Sequence, residues 1–146
     1  MPLQALALQL RSLVWDWYPK ANELIYDNYN ALAWGWSVTD TLPYTFCTMA
    51  VYKDYMHVGF YDGKGINDSK KILLGNGNQY RYIKIYDLKS FPKTYMKSLV
   101  RQSFLQAKTK LILYEEKKYM KDKGKKLHPH PQGMTIVKSV SSKKRR

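Results

Sequence analysis

Leu3, Leu6, Leu10, Leu13 and Trp17 recur at alternating three- and four-residue steps, which stacks them along one stripe of an amphipathic helix. Pro19 breaks that helix or restarts it, because proline lacks an N–H and disfavours a helical Tyr18 before it. A shorter helix from Lys20 to about Asp27 is expected next. The period then changes to two. Leu32, Trp34 and Trp36 alternate with Ala31, Ala33 and Gly35, placing the large residues on one face of a strand. Tyr44 to Lys53 is dense in β-branched and aromatic residues, and Tyr55 to Tyr61 sets Met56, Val58 and Phe60 against Tyr55, His57 and Tyr61. The short connection at Lys53-Asp54 makes these two segments an antiparallel hairpin.

Asp62-Gly63-Lys64-Gly65 is turn chemistry, and Asn67 to Leu74 is expected to hold a short helical turn capped by Asn67 or Asp68. Gly75-Asn76-Gly77-Asn78 predicts a loop. Arg81 to Tyr86 is a fourth strand, with Arg81, Ile83 and Ile85 alternating against Tyr82, Lys84 and Tyr86. After Ser90-Phe91-Pro92 a long helix is predicted from about Thr94 to Lys118 or Met120. Met96, Val100, Ser103, Ala107, Lys110 or Leu111, and Tyr114 fall near one of its faces. Helices, a run of strands and a final helix, without β-α-β alternation, predict an α+β fold. The expected core is a twisted antiparallel or mixed sheet of four to five strands with helices packed on one face.

Composition divides the chain into two parts. Of a formal charge of +14, residues 117–146 carry eleven Lys/Arg against the single acid Asp122, or +10, and the preceding residues only +4. The expected organisation is one domain over 1–120 and a basic, flexible tail over 121–146, where His128-Pro129-His130-Pro131 excludes a helix. One cysteine, Cys47, permits no intramolecular disulfide. The N-terminus lacks the charged start and cleavage site of a signal peptide, and no run reaches the roughly 20 apolar residues of a membrane span. A cytoplasmic protein with no membrane partner is expected.

His57-Val58-Gly59-Phe60-Tyr61-Asp62-Gly63, then Asn67-Asp68, then Leu73-Leu74-Gly75-Asn76-Gly77-Asn78-Gln79-Tyr80-Arg81-Tyr82-Ile83-Lys84-Ile85 resembles the YdhG-like bacterial family of DUF 1801 domains. The family pattern is a hairpin strand ending in Gly-Phe-Tyr, then Leu-Leu-x-Gly-x-Gly-Lys, then a basic residue within the next strand. The match covers about 30 residues, and the order of helices and strands fits most of the body. Asn78 stands where the family has a basic residue, and the tail lies outside the resemblance. The resemblance implies a compact α+β fold somewhat like frataxin, with a suggested iron-handling role in some members.

The candidate ligand-binding residues are Gly75, Gly77, Arg81, Tyr82 and Lys84. Glycines let backbone N–H groups turn toward an anion that the basic residues would balance, although this loop precedes a strand rather than a helix N-terminus. The structural alternative is that both glycines adopt positive φ in a tight connection. Iron needs clustered carboxylates. The weak candidates are Glu23 and Asp27, four apart on the expected second helix, and their plainer reading is a pair of solvent-exposed helix carboxylates. Cys47 reads as a buried small hydrophobe, and no Ser/His/Asp, nucleophile-elbow or zinc pattern occurs.

No catalysis and no cofactor are expected. The leading reading is a non-catalytic binding module for a small ligand or a protein partner. The alternative is non-specific binding of nucleic-acid phosphate through the basic tail, helped by Tyr82, Lys84 and Tyr86 on one strand face.

Overall fold

The computed structural model describes residues 3–28, 31–121 and 135–137, with backbone alone at 27, 28 and 135–137. Helix α1 spans Leu3–Trp17 and α2 spans Lys93–Lys121. The strands are β1 (Asn22–Asn28), β2 (Ala31–Ser37), β3 (Thr45–Val51), β4 (Met56–Phe60), β5 (Arg81–Ile85) and β6 (Thr135–Val137). They form one antiparallel sheet in the order β5-β4-β3-β2-β1-β6. The class is α+β, and the sheet is wider than the four to five strands expected.

Two strands widen it. Residues 22–28 form β1 rather than a short helix. A helix of seven or eight residues is marginal without tertiary support, whereas β1 gains a ladder to β2 along its whole length, from Asn22↔Ser37 to Asn28↔Ala31. The second is β6, which lies inside the expected tail and pairs with the outer edge of β1 through Glu23↔Val137, Leu24↔Ile136 and Ile25↔Thr135. The other residues of 122–146 lie outside the described residues.

The register puts Trp34, Trp36, Met49, Met56, Val58, Ile83 and Ile85 on one face of the sheet. These side chains share one core with Leu6, Leu10, Val14 and Trp15 of α1 and Met96, Leu99, Val100 and Ala107 of α2. Trp15 meets Trp36 edge to face with centroids 6.3 Å apart. The β2–β3 register shifts between Trp36 and Ser37, and Phe46 is the extra residue on β3. A bulge of this kind re-aims a side chain. Phe46 packs on Tyr18 and on Phe104 of α2, at 5.0 and 5.1 Å.

Asn67 to Leu74 contains no helical turn. It is an irregular strap tied to α2: Asn67 N–H donates to Gln102 Oε1 and Lys70 N–H to the Tyr95 hydroxyl. Asp68 still acts as a cap, accepting from Leu73 N–H and from the Tyr95 hydroxyl. Burial raises its pKa, but these hydrogen bonds outweigh that and hold its carboxyl below the usual range. No helix among the described residues is long and apolar enough to cross a membrane.

Candidate functional site

The second face of the sheet carries neither helix. Along β2 and β3 its outward positions are small: Ala33 of β2 pairs with Ala50 of β3, and Gly35 pairs with Thr48, which pairs with Gly59 of β4. Small residues leave a floor without side-chain bulk, and tyrosines stand around it. Tyr26 pairs across from Ala33, while Tyr52 follows Val51 in the β3–β4 hairpin, closed by Tyr52 N–H donating to the Tyr55 carbonyl at 2.9 Å. Tyr80 lies across Gly59, where an added Cβ would come within 2.6 Å of its hydroxyl oxygen. Glycine is required there by this close approach.

The result is a cavity of about 460 Å³ walled by Tyr26, Tyr52, Tyr61 and Tyr80, floored by Ala33, Ala50 and Thr48, and closed at one end by Gly77-Asn78-Gln79. Its hydroxyls are neutral donors and acceptors. Burial pushes the Tyr26, Tyr52 and Tyr80 hydroxyls above their ordinary pKa, and the proximity of neighbouring tyrosines raises each further. Thr48 Oγ1 donates to the Tyr80 hydroxyl at 3.5 Å.

Behind the cavity the aromatic rings continue as a row. Tyr80 stacks on Tyr82 at 5.6 Å, Tyr82 on His57 at 3.9 Å, and Tyr52 on Tyr55 at 5.2 Å. His57 is buried among these rings, and its Nε2 has no hydrogen-bond partner among the described residues. Burial, and then the charge of Lys84, lower its pKa below the ordinary histidine value.

The residues expected to form the site are placed unequally. Gly77 lines the cavity. Gly75 has φ +116 and turns the chain back toward Tyr80, whereas Gly77 does not have positive φ, so only one glycine needs that conformation. The Arg81 guanidinium donates to the carbonyls of Gly77 and Tyr80 at 2.9 and 2.7 Å, fastening the loop. Tyr82 supports the wall from outside, and exposed Lys84 places Nζ 4.6 Å from the Tyr55 ring centroid. Neither Arg81 nor Lys84 lines the cavity.

The weak metal candidates separate. On a strand, positions 23 and 27 share a face but stand about 13 Å apart, so they do not form the helical pair expected. Glu23 is not solvent-exposed either. It is fully buried, and both of its carboxylate oxygens accept from Arg11 of α1 at 2.6 Å. The Asp27 side chain lies outside the described residues. Cys47 is buried, and burial pushes its thiol up to about 12, which keeps it protonated and unreactive.

Sequence reasoning passed over Tyr26, Tyr52, Tyr61, Ala33 and Ala50. A signal was present: Ala31, Ala33 and Gly35 alternate with large residues, and Thr48 and Ala50 do the same on the next strand. Two neighbouring strands with small residues facing one way imply a hollow. No protein family, curated protein or solved structure matches this chain.

Proposed function

We propose that the protein is a non-catalytic binding module of the YdhG-like type that holds a small molecule in the tyrosine-walled cavity on the open face of its sheet. The observation that carries this reading is the combination of a vacant floor and standing walls. Central strands usually cover an open face with side chains, and here Ala33, Thr48, Ala50 and Gly59 withhold them, while four tyrosines rise around the gap. Small-molecule sites share this form: a largely apolar concavity with a few placed polar groups. A concave site of this size favours a small ligand over a protein partner, which needs roughly 800 Å² per side. The loop at Gly77–Gln79 closes one end, held by Arg81 and by Lys64 N–H donating to the Gln79 carbonyl at 2.9 Å.

The test is ligand-observed NMR with a chemically varied small-molecule library on the full chain and on Ala50→Leu. Leucine at 50 places a branched side chain in the cavity floor. Compounds should bind the native chain and lose binding to the variant. A library without any cavity-dependent binder sinks the reading.

A further inference from the structure

From the lining of this cavity we infer that its ligand is an uncharged, planar heteroaromatic ring with hydrogen-bonding edges, about the size of a nucleobase. The inference rests on the cavity being the binding site, as proposed above.

Among the described residues the lining contains no Asp, Glu, Lys, Arg or His. Charged groups on residues flanking the lining are engaged elsewhere. Arg81 holds two loop carbonyls, Lys84 sits over Tyr55, and beside Tyr61 the ammonium of Lys110 contacts Asp62 at 3.4 Å and the Pro43 carbonyl at 2.9 Å. A charged group brought inside loses water and meets no counter-charge, which is costly.

A compact cation would seek several ring faces converging on one point. Here the walls are less available: one face of Tyr80 is covered by Tyr82 and one face of Tyr52 by Tyr55. The space between them, about 460 Å³, is far larger than an ammonium group. What remains suits a flat ring. Tyrosine faces offer offset stacking, and Asn78 and Gln79 each carry an amide with both donor and acceptor. Thr48 and the tyrosine hydroxyls add adaptable partners for ring edges. Such a site discriminates by leaving polar groups unpaired when a hydrocarbon ring enters.

The experiment follows backbone amide shifts of Gly77 to Tyr80 in the labelled full chain. Its probes are nicotinamide and adenine, both neutral, nicotinate as the anion, and 1-methylnicotinamide, methylated on the ring nitrogen, as the cation. The neutral rings should shift those amides and bind at least about tenfold more tightly than either charged ring. Ala50→Leu should abolish the shifts, and Ala33→Leu fills the same floor from the adjacent strand if the first variant does not fold. Equal or tighter binding of nicotinate or 1-methylnicotinamide at these amides overturns the ligand class and leaves the cavity reading standing. No shift with any of the four probes, while unrelated library compounds bind in a cavity-dependent way, also overturns the ligand class alone. If no compound of any kind binds there, both readings fall together.

Discussion

The two faces of the sheet are built from the same strands and fill their outward positions in opposite ways. On the helix side the central positions are large apart from Cys47, and tryptophan, methionine, phenylalanine and isoleucine interlock with α1 and α2. On the other side β2 and β3 present alanine, glycine and threonine, and the bulk stands around them as tyrosine, His57 and Leu24. Alternation along a strand therefore has two meanings here. One residue set drives folding by removing apolar area from water, and the other leaves a shaped space bordered by polar ring tips. The difference shows that an open sheet face is read from what its small residues fail to cover as much as from its aromatic content.

The largest expected difference between the faces is in stability. Phe46→Ala removes a fully buried ring wedged between Tyr18 and Phe104 and should cost about 3–5 kcal/mol in chemical denaturation. Tyr52→Ala on the open face, where the ring is half-buried, should cost less than about 2 kcal/mol. Similar losses for the two would show that the open face is as much a core as the helix face.

The Arg11–Glu23 pair comes next, since Glu23 faces the helix side although it is charged. The arginine side chain is 37% exposed, so the low end of the range for breaking a buried pair applies, and Arg11→Met should cost about 3 kcal/mol. The double variant Arg11→Met with Glu23→Leu should recover most of that loss in the same unfolding measurement, because no charge is then left stranded. A double variant as unstable as the single one would mean that the pair contributes shape or register instead.

Filling space is a finer comparison. Ala107→Leu adds volume to the closed core beneath α2 and should cost about 1–3 kcal/mol. Ala50→Leu grows into the cavity and should cost less than about 1 kcal/mol while removing ligand binding. Their relative melting temperatures check this directly.

The smallest effect is a pH dependence confined to the open face. His57 has its folded pKa lowered, so the unfolded chain takes up the proton first as pH falls. Its contribution is fully present above about 6.5, the ordinary histidine value, and is lost as pH drops from there through the folded value. His57→Phe should flatten the unfolding free energy across that window. An unchanged slope would show that His57 does not carry it.

The amino-acid sequence by itself determined α2, the β3–β4 hairpin, β5 and the composition of the helix-side core. Each depends on periodicity within one segment: Met96, Val100, Ser103 and Ala107 repeat at helical spacing and are buried, and Ile83 and Ile85 face inward while Lys84 stays exposed. Of the residues expected to bind a ligand, Gly77 alone is in the cavity lining, with Tyr82 stacked behind its Tyr80 wall. Tertiary structure decided the rest. Residues 22–28 became a strand because β2 offered a ladder that a short helix could not match, and that choice faced Glu23 toward Arg11 and Tyr26 toward Ala33. The cavity joins Tyr26, Tyr52, Tyr61 and Tyr80 from four separate stretches of chain. Local pattern reports which face a side chain takes, whereas strand register and the closure of distant loops fix which side chains share that face, and these arise only when the whole sheet assembles.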